Sequence, residues 1–163
     1  MVCSLVVYLI VGLLANADWK ANFLTWHERL KLQGTWKIVR WEEAGKSVLR
    51  SEWWCTRARF TGNQIELRGP NGNRDEGECE LCPSKSPHAF RLSLNCHEGV
   101  SDEGKQWIWY GIDQWFGIYR LECDRLKICI TSDIGYGVSG WPAEFSTQQG
   151  DLRFLITLER EKP

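Results

Sequence analysis

The chain reads as an all-β protein, an antiparallel barrel of about eight strands with a short N-terminal helix. Three observations predict this. From Thr35 onward, apolar residues recur at every second position in one short run after another. The runs are joined by short polar turns with no helical crossover between them, and strands so connected pair antiparallel. Gly34-Thr35-Trp36 opens the first run, and Arg160 lies in the last. Such a pair suits the closed end of a small barrel, where a guanidinium stacks across an indole that plugs the floor. Closure is preferred to an open sandwich because it leaves no exposed edge, and the chain is 12% aromatic with 10 Trp.

The elements follow in order. Residues 1–17 carry no charged side chain, and Ala15-Asn16-Ala17 has the small-x-small form that signal peptidase accepts. They are expected to be a signal peptide, which places the protein outside the cytoplasm, secreted or periplasmic. Left uncleaved, the same segment would be the chain's one membrane contact. Residues 18–33 are expected to form a helix belonging to the domain. There Trp19, Phe23, Trp26 and Leu30 fall on one helical face, predicted to cap a core, and Gly34 ends the helix. Residues 34–163 then make a single barrel domain. Its predicted strands are Thr35 to Glu43, Arg57 to Thr61, Gln64 to Arg68, Ala89 to Asn95, Gln106 to Ile112, Phe116 to Glu122, Arg125 to Thr131 and Arg153 to Arg160. Gly62-Asn63 is a tight hairpin, while Gly69 to Gly77 reads as a loop.

Composition excludes several function classes. Lys+Arg 20 against Asp+Glu 21 leaves a net charge of -1, and no two basic residues are adjacent. A nucleic-acid binder would concentrate basic charge. No His-Glu-x-x-His, phosphate loop or nucleophile elbow is present. The acidic cluster Asp75, Glu76, Glu78 and Glu80 lacks the order of a calcium loop and reads as solvated. No enzyme activity, cofactor or metal is expected.

Cysteines supply the sharpest local pattern. Cys79-Glu80-Leu81-Cys82 is followed by Cys96-His97. In an exported chain, Cys55, Cys79, Cys82 and Cys96 are disulfide candidates, with free thiols or a zinc site as the other readings. Cys123 and Cys129 are too far apart along a hairpin to bridge, so Cys129 is expected to be a buried thiol.

Several short segments in register carry a family resemblance: Leu32-Gln33-Gly34-Thr35-Trp36-Lys37-Ile38-Val39, Gly117-Ile118-Tyr119-Arg120-Leu121, Asp124-Arg125-Leu126-Lys127-Ile128-Cys129, Pro142-Ala143-Glu144-Phe145 and Leu155-Ile156-Thr157-Leu158-Glu159-Arg160. The chain resembles the uncharacterised lipocalin-like domain family expanded in planctomycete bacteria. The resemblance implies an exported, lipocalin-like barrel in which Gly34, Trp36, Arg160, Cys129, Pro142 and Phe145 are structural. Two positions depart from the pattern. Trp141 stands where Arg usually precedes the proline, and Cys123 stands where Gly is usual.

An eight-stranded barrel either fills its interior with side chains or holds one small ligand. The first expectation is a small apolar or amphipathic ligand buried against Trp107, Trp109, Tyr119 and Leu121, with Arg40 as polar anchor. The alternative is a protein-interaction or envelope structural module with a filled barrel. Exposed Trp53 and Trp54 would then contact the partner.

Overall fold

The computed structural model describes residues 19–101, 103–132 and 140–162, so the signal-peptide reading of residues 1–17 lies outside it. Helix α1 spans 19–32. Ten strands follow: β1 (Gly34–Glu43), β2 (Lys46–Ser47), β3 (Arg57–Thr61), β4 (Gln64–Arg68), β5 (Arg74–Cys82), β6 (Ala89–Val100), β7 (Gln106–Trp109), β8 (Asp113–Glu122), β9 (Arg125–Ser132) and β10 (Arg153–Arg160). Eight of them form the wall in the order β1-β3-β4-β5-β6-β8-β9-β10, and β10 pairs back onto β1 to close it. Every neighbouring pair is antiparallel. The predicted lipocalin-like barrel with its short N-terminal helix is therefore the observed fold.

Membership of the wall differs from the sequence expectation in one place. Residues 74–82, read partly as a loop, are the wall strand β5, whereas residues 106–109 form β7, a short annex paired with β6. The period in β5 is two. Gly77, Cys79 and Leu81 face the core, while Glu78 and Glu80 face water. Of the acidic residues that suggested a solvated loop, Glu76, Glu78 and Glu80 lie on the outer face of a strand, while Asp75 faces inward toward His97. Gly77 packs so closely on β6 that a β-carbon there would lie 2.0 Å from the Ser93 carbonyl oxygen.

Two bulges decide which side chains enter the barrel. In β1, Ile38 pairs with Leu158 and Arg40 with Thr157, so Val39 is the extra residue. In β6, Leu94 pairs with Gly77 and Cys96 with Glu76, so Asn95 is extra. Each bulge shifts the inward set by one position. Inward residues thus run Trp36, Ile38, Trp41 in β1 and Phe90, Leu92, Leu94 in β6.

The floor is built from the two ends of the chain. Trp36 is fully buried, and its indole Nε1 donates to the Leu32 carbonyl at 2.8 Å. The Arg160 guanidinium lies 4.1 Å from the Trp36 ring centroid. Arg160 Nη1 donates to the Gln33 carbonyl at 2.5 Å, Nη2 donates to the Lys31 carbonyl, and Nε sits 3.3 Å from the Asp124 carboxylate. A cation is thus placed where the C-terminal end of α1 leaves carbonyls without helical partners. Gly34, with φ of +108°, lets the chain turn from helix into β1 directly beneath that guanidinium. Gln33 completes the join, accepting from Gly62 N at 2.7 Å and so tying α1 to the β3–β4 hairpin.

Outside the wall a second cluster of Ala89, Ile118, Cys129 and Leu155 is covered by Cys82 and Phe145. The Arg120 guanidinium lies 5.0 Å from the Phe145 ring. Pro142 is buried. Trp141 donates from Nε1 to the Phe90 carbonyl at 3.2 Å, with Lys85 Nζ 4.0 Å over its ring. Cys123 adopts φ of +52° in the β8–β9 turn, a conformation for which Gly is ordinarily used.

Arg160→Ala removes the stacked cation and two charge-assisted hydrogen bonds at once. It should cost about 2–4 kcal/mol of folding stability. Arg160→Lys should restore only part of that, because an ammonium lacks the planar fork that reaches ring and carbonyls together. Urea midpoints of the two variants measure the difference.

Candidate functional site

The barrel interior is the natural place to look for a site, and it is almost full. Leu, Ile, Phe and Trp side chains leave a cavity of about 40 Å³, lined among others by Ile38, Leu67, Leu92, Leu94, Ile130 and Ile156, with no polar lining. A cavity several times larger, roughly 150 Å³, is what accommodates a benzene ring in a protein core. A fatty-acid-sized guest therefore does not fit this packing.

Both ends are stoppered. Beneath the interior lie Trp36 and Leu32, both buried. At the other end, Trp41 meets Trp53 at 6.4 Å, Trp54 edge-on at 5.7 Å and Phe154 at 5.7 Å between ring centroids. Trp115 stacks on Trp54 at 6.2 Å and touches Phe154 at 6.0 Å, closing the layer. The short 3₁₀ turn Arg50–Glu52 brings Trp53 over the mouth, where its Nε1 donates to the Val48 carbonyl at 3.1 Å. The Trp53-Trp54 pair, expected to be exposed, is instead part of this plug, with Trp53 only 6% exposed.

The structure does not bring the five expected ligand-binding residues together. Tyr119 and Leu121 point inward near the floor. Tyr119 Oη donates to Glu28 Oε2 of α1 at 3.5 Å, and burial, reinforced by that carboxylate, pushes its phenol well above the ordinary range. His88 Nδ1 lies 3.8 Å from the same carboxylate oxygen. Trp107 and Trp109 belong to β7 at the opposite end, and both are about half exposed. Arg40 sits on the outer wall paired with Glu42 at 2.8 Å, turned there by the Val39 bulge. A straight alternation from Trp36 and Ile38 would have sent it inside.

Register creates one arrangement that sequence spacing did not suggest. His97 lies between Asp75 on β5 and Trp109 on β7. Its Nδ1 is 2.8 Å from Asp75 Oδ1, its Nε2 is 3.7 Å from Asp113 Oδ2, and its ring is 4.9 Å from that of Trp109. His97 Nε2, Asn73 Oδ1 and Trp115 Nε1 are buried without a hydrogen-bond partner among the described residues. No sequence pattern marks this group, because its members come from separate strands. Only an alignment of β5, β6 and β8 could have found it.

The cysteine expectation is corrected. Cys55, Cys79, Cys82, Cys96, Cys123 and Cys129 are all free thiols. Cys79 and Cys82 are three residues apart on a strand and project to opposite faces, with Cys79 in the core and Cys82 packed on the outer cluster. The Asn95 bulge puts Cys96 beside outward Glu76, while neighbouring His97 turns in toward Asp75. The same divergence dissolves the zinc reading. Among the described residues, no group of three or more His, Cys, Asp and Glu could hold a metal ion. Cys129 behaves as expected, fully buried, with Sγ donating to the Ser146 carbonyl at 3.6 Å.

Burial pushes the Cys79 thiol up to about 12 and the Cys129 thiol to about 11, from 9.0. Cys55 moves in the same direction for the same reason. A raised folded-state pKa stabilises fully while the unfolded thiols stay protonated, below about pH 9, and that stabilisation is lost as pH climbs toward 11–12. The unfolding free energy from urea titrations should therefore fall from pH 9 upward, by about 1 kcal/mol per buried thiol per pH unit. Iodoacetamide should modify exposed Cys123 in the native protein and reach Cys55, Cys79 and Cys129 only after unfolding.

In comparisons with known proteins, no family model matches the chain, and no curated protein or solved structure matches it.

Proposed function

We propose that this is an exported, non-catalytic, lipocalin-like envelope module that recognises another protein, with its barrel serving as a solid scaffold. The observation that carries the reading is the contrast between inside and outside. The interior keeps only about 40 Å³ of apolar space between two aromatic plugs. Meanwhile Trp107, Ile108, Trp109, Tyr110 and Ile112 are exposed in one continuous stretch, Tyr110 and Ile112 by 75% and 73%.

That stretch has the chemistry of a recognition surface. Among the described residues β7 pairs only with β6, so it offers an edge strand as well as aromatic side chains. An edge of this kind accepts an extended peptide by main-chain pairing, with side chains on alternate positions supplying selectivity. Trp and Tyr are enriched at the centres of protein interfaces because they bury large area at low conformational cost. Gly99 and Gly111 let the rings fold down tightly. A β-carbon at Gly111 would lie 1.9 Å from Trp109, and one at Gly99 would lie 2.4 Å from Trp107.

The second reading, a small apolar ligand in the barrel, draws on the wholly apolar lining of the cavity. It requires the Trp54–Trp115 layer to swing aside and the interior to repack.

Two measurements separate the readings. Intrinsic Trp fluorescence titrated with a panel of lipophilic probes should show no saturable binding below the millimolar range. Micromolar binding that is abolished by Leu92→Trp would overturn the filled-scaffold reading. The double variant Ile108→Asp/Ile112→Asp should unfold at the wild-type temperature yet lose a protein that co-purifies with the wild type from its native compartment. Retention of every such protein by the variant sinks recognition through β7.

A further inference from the structure

Helix α1 presents its apolar stripe away from the barrel. Trp19, Phe23, Trp26 and Leu30 are between 51% and 55% exposed, whereas Glu28 and Leu32 are buried and Thr25 and Arg29 are half-buried against the wall. At 100° per residue the stripe is centred about 140° around the axis from the barrel-facing side. This reverses the expectation that the stripe caps the core. The contacts that hold α1 lie toward its C-terminal end: Leu32 packs in the core, Glu28 meets Tyr119, Gln33 just beyond the helix meets Gly62, and Arg160 clasps the last carbonyls.

From this geometry we infer that α1 is a membrane-surface helix, its Trp19–Phe23–Trp26–Leu30 stripe seated in the headgroup region of an anionic bilayer. Three observations choose a bilayer over another occupant. The first is continuity. Residues 1–17 carry no charged side chain and are largely apolar, and only Asp18 stands between them and the first turn of the helix. The second is composition. Two indoles, a phenyl ring and a leucine on one face are the side chains that partition to the interface between headgroups and acyl chains. Three of them already touch, Trp19 to Phe23 at 6.2 Å and Phe23 to Trp26 at 6.0 Å, forming a single apolar surface.

Charge is the third. On the helical wheel Lys20 and Lys31 border one edge of the stripe, where basic side chains can extend toward lipid phosphates. The helix has one acidic residue, Glu28. It is buried on the barrel side and held by Lys31 Nζ at 2.8 Å, so no carboxylate of α1 faces the anionic surface. The arrangement is independent of how β7 is used, because the two surfaces belong to different elements.

The test uses the full chain with vesicles of phosphatidylglycerol and phosphatidylcholine. A photo-reactive benzoylphenylalanine replacing Trp26 should yield phospholipid adducts by mass, and one replacing Lys37 on the outer wall should yield none. Lys20→Glu should abolish the excess of adduct formed on anionic over purely zwitterionic vesicles. Leu30→Glu should cut the lipid adduct from position 26 severalfold while leaving the unfolding temperature unchanged, since Leu30 packs on nothing in the core. Adducts from position 26 that map instead to residues 1–17, to a second copy of the chain, or to no partner at all would each overturn the inference.

Discussion

The Arg160 side chain is the fastening on which the architecture depends. One guanidinium covers the indole that plugs the floor, satisfies two carbonyls at the end of α1 and reaches Asp124 in the β8–β9 turn. It therefore joins the first helix, the first strand, the last strand and a distant hairpin. Closing a barrel requires the terminal strands to find each other across the whole chain, an entropically costly contact. A planar cation that engages a ring face and carbonyl oxygens together makes that seam specific, and Gly34 leaves it the space it needs.

The two aromatic layers have opposite consequences from similar chemistry. At the floor, Trp36 is held by its own hydrogen bond and by Arg160, and the helix seals it from outside. At the mouth, Trp41, Trp53, Trp54, Trp115 and Phe154 close on one another by ring contact. With so many rings committed to the two ends, the interior between them is close-packed and leaves little room. Large exposed apolar side chains lie outside, among them those on α1 and along β7. Exposed patches of this kind are uncommon on monomeric proteins and usually mark contact with a partner or a membrane.

Much of the wall was legible because β-structure writes itself in period two. β9 and β10 alternate so regularly that Leu126, Ile128 and Ile130, and likewise Phe154, Ile156 and Leu158, read as sharing one face, although not which face turns inward. β5 was harder to see. Its inward residues Gly77 and Cys79 are small, its outward residues are acidic, and both features imitate a loop. β7 misled in the opposite sense, with two indoles on one face suggesting a wall strand. Nothing local reveals that β8 takes the place beside β6 at residues 89–94, leaving β7 to pair with residues 97–100.

Local chemistry was enough to specify the barrel, the floor plug, the buried Cys129 and the helix span, since periodicity, a turn-forming glycine and a late arginine act within a strand or between chain ends. Tertiary structure alone decided what faced what. Extra residues at Val39 and Asn95 turned Arg40 outward and His97 inward, because side-chain direction in a strand inverts with every residue added. Cysteine spacing that suggested a staple was divided between two faces of one strand for the same reason. The helix shows the limit most plainly: its amphipathic stripe is written in the sequence, but which side meets the barrel was set by Glu28, Gln33 and Arg160. These contacts, with buried Leu32, hold an orientation opposite to the one the stripe alone would favour.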